Sequence, residues 1–267
     1  GVQIAFKDFR ANLGIAGSPW VGLKHFERFV NTSSFTLLMG NTLRISVLSL
    51  VIGFPMPILF ALLVNEIRSS RYRKVIQTIS YAPHFISTVV MVSMLTIFLN
   101  KNYGIVNTLI GYVGVGPYDF ITKGSWFASI YVISNVWQNL GWDAIIYIAA
   151  LSGVSVELHE AAMIDGATRM QRVWHINLPS ILPTVTIMLI LACGKIMSVG
   201  FEKVYLMQNA LNTSHSEIIS TFVYKAGLQS AQYSFSTAIG LFNSVINLIL
   251  LLTVNMLSKR LGDTSLW

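Results

Sequence analysis

Charge is what this chain has least of. Asp, Glu, Lys and Arg make up 11% of its 267 residues, against 54% hydrophobic, and the mean hydropathy is +0.63. A soluble domain carries roughly a quarter charged residues, so a water-soluble enzyme is excluded for want of polar surface. Disorder is excluded because it needs low hydrophobicity and high charge. Cys193 stands alone, so no internal disulfide can form. No G-x-x-x-x-G-K-[ST] occurs, since the Gly194-Lys195 pair lacks the earlier glycine; ATP hydrolysis would have to come from another chain. His25, His84, His159, His175 and His215 show no metal-ligand spacing, and no nucleophile has a recognisable base partner. Internal repeats, low-complexity tracts and flexible linkers are missing as well.

What the chain does have is long uncharged runs. About 20 apolar residues cross a bilayer, and a charge at its centre costs about 2.5 to 3.5 kcal/mol. The runs predict an all-α polytopic membrane bundle with five transmembrane helices, at about 45–65, 75–100, 126–152, 182–206 and 237–258. Pro55 and Pro57 should bend the first span and Pro83 the second. Residues 42–267 then form the membrane domain, and 1–41 an extracytoplasmic segment. That segment carries Leu23, Phe26, Phe29 and Val30 at helical spacing, an amphipathic helix that either lies at the interface or packs on the bundle.

The net charge of +7 would suggest nucleic acid in a soluble protein, but in a membrane chain it first bears on orientation. Placing 66–74, 153–181 and 259–267 on one side gives that side Arg68, Arg71, Arg73, Lys74, Arg169, Arg172, Lys259 and Arg260, eight cations against eight on the other. The first set is concentrated close to helix ends, where orientation is decided, and is assigned to the cytoplasm. No nucleic-acid partner is expected.

The most informative stretch is 157–183, ELHEAAMIDGATRMQRVWHINLPSILP. Ser155 is placed as an N-cap and Glu157 puts negative charge in the first helical turn. Glu160, Ala161, Ala162, Ile164 and Asp165 continue to Gly166, which supplies the left-handed residue that ends the helix. A second short helix is expected over Arg169 to Ile176, closed by Pro179 and Pro183.

Glu160-Ala161-Ala162, three residues, Gly166, nine residues, then Ile176-x-Leu178-Pro179 resembles the cytoplasmic signature of permease subunits of binding-protein-dependent type I ABC importers. Phe6-Lys7-Asp8, Gly17-Ser18-Pro19-Trp20-Val21-Gly22, Tyr81-Ala82-Pro83-His84-Phe85-Ile86-Ser87, Gly141-Trp142 and Gln232-Tyr233-Ser234 are similar to permeases of oligosaccharide importers. Within these the chain looks closest to the branch that takes up acidic oligosaccharides, including alginate and aldouronate. The resemblance implies a permease fold with five visible spans and a cytoplasmic coupling helix, in a bacterial cytoplasmic (inner) membrane. It implies a second homologous permease, two ATPase subunits holding ATP and Mg, an extracytoplasmic substrate-binding protein and an oligosaccharide substrate. No cofactor is expected on this chain. Glu160 would face the ATPase, Gly166 would give the bend, and Ile176, Leu178 and Pro179 would anchor the loop to the bundle. Family members often carry six helices, which leaves room for one upstream of Gly1.

Asp143 and Lys195 are the two charges well inside expected spans, and intramembrane charge is a functional hypothesis by default; a structural ion pair or a snorkelling lysine is the alternative. Asn135, Gln138, Asn139 and Trp142 share a face of the third span, Lys195, Ser198 and Glu202 of the fourth, and Asn243 and Asn247 of the fifth. Amides and an indole suit a sugar path, and such groups also hold helices together. A rival function is a membrane-embedded enzyme acting on lipid-linked sugars through Asp143, Lys195 and Lys203. A secondary transporter should show inverted repeats, and none is visible.

Overall fold

The computed structural model describes residues 1–261, 265 and 266. Residues 262–264 and 267 of the expected cytoplasmic tail lie outside the described residues. The chain is helical, and its isolated β-bridge pairs Lys7 with Trp20. The helices named below are α1 (Lys24–Val30), α2 (Phe35–Asn65), α3 (Ser70–Tyr81), α4 (Thr88–Phe98), α5 (Ile105–Gly111), α6 (Phe127–Ser152), α7 (Val156–Ile164), α8 (Arg169–Cys193), α9 (Phe201–Met207), α10 (Ile219–Tyr224) and α11 (Tyr233–Leu261). Among the described residues three helices, α2, α8 and α11, are long and apolar enough to cross a membrane, and counting two broken pairs brings the candidate spans to five.

The first span starts earlier than the uncharged run suggests, at Phe35 rather than near Ile45. Arg44 is exposed on its side, so the charge marks the end of the apolar window and not the end of the helix. Ser49–Gly53 is a π-helical turn directly before Pro55. Proline has no N–H to donate and crowds the preceding turn, and a widened turn accommodates this without ending the helix. The same device corrects the second expectation. Arg169 to Ile176 is not a separate helix closed by prolines, because a π turn at Val173–Asn177 carries the chain into Leu178–Cys193 with Pro183 inside.

The second span is interrupted. α3 passes into a 3-10 turn over Ala82–Phe85, with Pro83 at its start, and α4 begins only at Thr88. The fourth span does not run to 206: helix stops at Cys193, and α9 is a separate element beginning at Phe201. Lys195 and Ser198 therefore lie in the unwound stretch between α8 and α9 rather than on a helix face.

The chain divides into two compact units. The first comprises Gly1–Val47, Thr88–Tyr131 and Gly194–Leu250. Its core gathers Phe29, Leu38, Met197, Ile219, Phe235 and Ile239, with edge-on aromatic contacts of Phe29 to Phe35 and Phe242. On α1 it is His25 and Phe29 that are buried, while Leu23 and Val30 of the expected stripe are exposed. The second unit comprises Leu48–Ser87 and Val132–Cys193 with the chain from Leu251 onward. Ile58, Ala61, Leu62, Ala144, Tyr147, Leu151, Val173 and Ile181 form its core.

Within the second unit α3 meets α6 at Gly141, where an added Cβ would stand 2.4 Å from the Ser80 carbonyl oxygen. The obstacle is backbone, so it cannot swing aside. Gly141→Val is expected to cost about 1 to 3 kcal/mol by overpacking, read as a lowered thermal unfolding midpoint of the purified protein; an unchanged midpoint would contradict the close approach.

Candidate functional site

α6 ends at Ser152 and the chain turns by 72° into α7. The Ser155 hydroxyl accepts the Glu157 N–H at 3.2 Å, satisfying one of the free donors of the first turn. At the other end Gly166 has φ +80°, its N–H donates to the Met163 carbonyl at 3.1 Å, and the Ala167 N–H donates to the Ala162 carbonyl at 2.8 Å. This pair of bonds is the Schellman closure that a left-handed residue permits. Thr168 then opens α8 with a reciprocal cap: its hydroxyl accepts the Gln171 N–H, and its own N–H donates to Gln171 Oε1 at 2.7 Å. α7 is thus a short rod held between two chemically complete ends.

The surface of that rod is open. Glu157, Glu160 and Ala161 are exposed, Ala162 is half-buried, and the apolar Val156, Leu158, Met163 and Ile164 are exposed, Ile164 to 86%. Apolar side chains standing out on a well-capped knob form an exposed patch of the kind that meets a protein or a membrane surface. The small Ala161 and Ala162 let a partner's backbone come close.

The root of the knob is buried. Val173 and Ile181 belong to the core of the second unit and Leu178 packs against it, while Ile176 is half-buried and Pro179 exposed. Asn177 is fully buried and donates to Glu66 Oε1 at 3.3 Å. The Arg73 guanidinium donates to the Asn65 and Ile67 carbonyls at 3.0 and 2.9 Å, closing the C-terminal end of α2. Anchoring therefore falls to Val173, Asn177 and Ile181 as well as Leu178. The sequence reading passed over Asn177 and Glu66. The available signal was an amide at the unassigned position of Ile176-x-Leu178, among apolar neighbours.

In the second unit the polar face of α6 is committed to the break in the second span. Gln138 Nε2 donates to the Ile86 carbonyl at 2.9 Å, and His84 Nδ1 lies 2.9 Å from Asn139 Oδ1. Asn139 Nδ2 donates in turn to the carbonyl and side-chain oxygens of Asn135, both at 3.1 Å. Trp142 stacks on His84 with centroids 4.3 Å apart and planes 4° from parallel, and Phe85 stands edge-on to it at 5.9 Å. Asp143, the next residue, is exposed.

In the first unit Asn247 holds the unwound stretch after α8. Its Oδ1 accepts the Met197 N–H at 3.0 Å and its Nδ2 donates to the Ser198 hydroxyl at 2.9 Å. The Tyr131 hydroxyl accepts the Gly200 N–H at 3.2 Å. Lys195 is exposed, and Asn243, also on α11, has a buried Oδ1 with no hydrogen-bond partner among the described residues. Lys203 is buried on α9 with its ammonium 5.5 Å from the Tyr131 ring. No group of His, Cys, Asp and Glu among the described residues is arranged to hold a metal ion.

Residues 35–263 match the family model of the binding-protein-dependent transport system inner membrane component. The chain is 44% identical over all of its 267 residues to the polygalacturonan/rhamnogalacturonan transport system permease protein YteP of Bacillus subtilis, covering 83% of that protein. It superimposes with a TM-score of 0.90 on a chain of a bacterial ABC transporter involved in import of the acidic polysaccharide alginate, at 41% identity, covering 97% of this chain and 87% of that one. With the bacterial alginate ABC transporter bound to a periplasmic protein carrying alginate pentasaccharide the TM-score is 0.91 at 40% identity, covering 100% and 88%.

The Asn177–Glu66 bond ties the root of the knob to the end of α2. Asn177→Leu keeps the volume and removes the donor, leaving Glu66 unpaired at a half-buried site; a loss of about 1 to 3 kcal/mol is expected, seen as a lower unfolding midpoint with membrane insertion intact. A midpoint equal to that of the parent protein would show that the bond carries no load.

Proposed function

The chain belongs to the inner membrane components of binding-protein-dependent transport systems, and on that premise we propose that it conducts an acidic oligosaccharide, a uronate oligomer such as alginate, into the cell. It is a multi-pass, non-catalytic permease subunit of an ATP-driven sugar importer. It works with a second permease, with ATPase subunits and with an extracytoplasmic substrate-binding protein. The observation that carries the acidic substrate is the likeness, over nearly the whole chain and at 41% identity, to the alginate importer.

In this reading the exposed apolar side chains of α7 seat in a groove of one of two ATPase subunits, where ATP and Mg act. Glu160, Ala161, Ala162 and Asp165 form the contact and Gly166 the bend. Ile176, Leu178 and Pro179 belong to the stretch that joins the knob to the bundle, with Asn177 and Val173 supplying the buried grip. A push on α7 is then transmitted as rigid-body motion, because a packed core moves as a block and does not absorb displacement.

Each unit carries its own candidates for a sugar path. Lys195, set in unwound chain, supplies a cation for a uronate carboxylate. Trp142 offers a ring face and Asp143 and Ser198 offer hydroxyl partners, while Asn247, both of whose amide atoms are bonded, and Asn243, whose Oδ1 is buried, shape the path from behind. Asn135, Gln138 and Asn139 contribute by holding the broken span open. Irregular backbone at membrane depth is tolerated where it lines a cavity or is buried in protein, which suits the stretch around Lys195 to a path.

Two substitutions test this in the reconstituted importer. Gly166→Leu forces a β-carbon into the left-handed region at about 1 to 2 kcal/mol. It should leave the subunit in the membrane while lowering substrate-stimulated ATPase several-fold; intact stimulation would overturn the coupling role. Lys195→Ala should reduce uptake of an acidic oligosaccharide about tenfold relative to a neutral one, and an equal effect on both would remove Lys195 from the path.

A further inference from the structure

α3 presents three distinct faces. Arg73 and Ser80 turn toward the body of the second unit, the first bonded to the end of α2 and the second against Gly141. Tyr72, Val75, Ile76 and Ile79 follow the i, i+3, i+4, i+7 rule of a single stripe, and all four are exposed, between 37% and 71%. Beside that stripe stand Arg71 and Lys74, both exposed, with exposed Arg68 just before the helix. Between Glu66 and Asp119 the sequence has no acidic residue, and the two ion pairs among the described residues, Arg10–Asp8 and Lys225–Glu217, leave these three cations unpaired.

A short helix with a clean apolar stripe and cations along its edge is too polar to span a bilayer and too apolar on one side to face water. The occupant follows from sign and place. The bonds from Asn177 to Glu66 and from Arg73 to the end of α2 fix α3 at the root of the knob, on the ATPase-facing side. The inner surface of the membrane there is anionic, and it attracts basic segments lying close to it.

We propose that α3 is an anionic-phospholipid-binding helix lying in the cytoplasmic headgroup layer, with Tyr72, Val75, Ile76 and Ile79 among the acyl chains and Arg68, Arg71 and Lys74 on lipid phosphates. It braces the end of α2 and the break at Ile86 against the membrane surface. The assignment depends on the chain being a permease with a cytoplasmic coupling loop and not on the identity of the sugar.

The test uses the full importer complex in phosphatidylcholine nanodiscs, with a bimane fluorophore on Ile79→Cys in a Cys193→Ser background. Nitroxide-labelled phosphatidylglycerol should quench the probe at least about twofold more than nitroxide-labelled phosphatidylcholine. The triple variant Arg68→Gln, Arg71→Gln, Lys74→Gln should abolish that difference while quenching by the choline lipid persists. No quenching by either lipid would mean that a protein subunit covers the stripe, and equal quenching by both in the parent protein would mean contact without headgroup recognition; either result overturns the proposal. Transport is not read, so failure here is separable from failure of the uronate reading.

Discussion

Within the hydrocarbon of a bilayer, a backbone amide that loses its helical partner has no water to replace it. That constraint organises this molecule more than any packing detail does. The chain leaves regular helix at the head of its second span and after the end of its fourth, and each departure is met by a side chain. Gln138 takes up the Ile86 carbonyl, Asn247 the Met197 N–H, and Tyr131 the Gly200 N–H. The π turns before Pro55 and at Val173–Asn177 solve the milder problem of proline within a helix that must continue. The polar residues Gln138, Asn247 and Tyr131 are therefore committed first to the backbone.

The knob obeys a different logic. Its outer side is exposed, and its shape comes from bonds between near neighbours: Ser155 to Glu157, Gly166 and Ala167 back to α7, Thr168 to Gln171. Its grip on the rest of the second unit is by contrast hydrophobic and long-range in sequence, through Val173 and Ile181 against residues of α2 and α6, with the Asn177–Glu66 bond beside them. Local bonds set the form and distant contacts carry the force.

Much of the site was legible in the sequence because its determinants are local. The N-cap at Ser155, the helix end at Gly166 and the polar face from Asn135 to Trp142 depend on spacing alone, and all three are where the spacing puts them. The errors came where tertiary structure decides. Arg44 marks the edge of an uncharged run, yet the helix runs past it with its side chain exposed. Pro179 and Pro183 looked like stops because nothing local announces a π turn. Lys195 was placed on a helix face because an uncharged run does not show that Asn247, some fifty positions on, holds the chain unwound there. Glu66 and Asn177 were missed for the same reason, since partners far apart in sequence leave no periodic trace.

The capped form of α7 has one more consequence, which concerns entropy. A segment that must be ordered on contact surrenders conformational freedom, and this weakens binding. Here both ends are closed by bonds within the segment itself, so its shape exists before any partner arrives. In the proposed coupling role, association with an ATPase draws on buried apolar area with little ordering to offset it, and detachment leaves the knob still formed. A contact of that kind can be made and released repeatedly without refolding, which suits a joint that takes the load in every transport cycle.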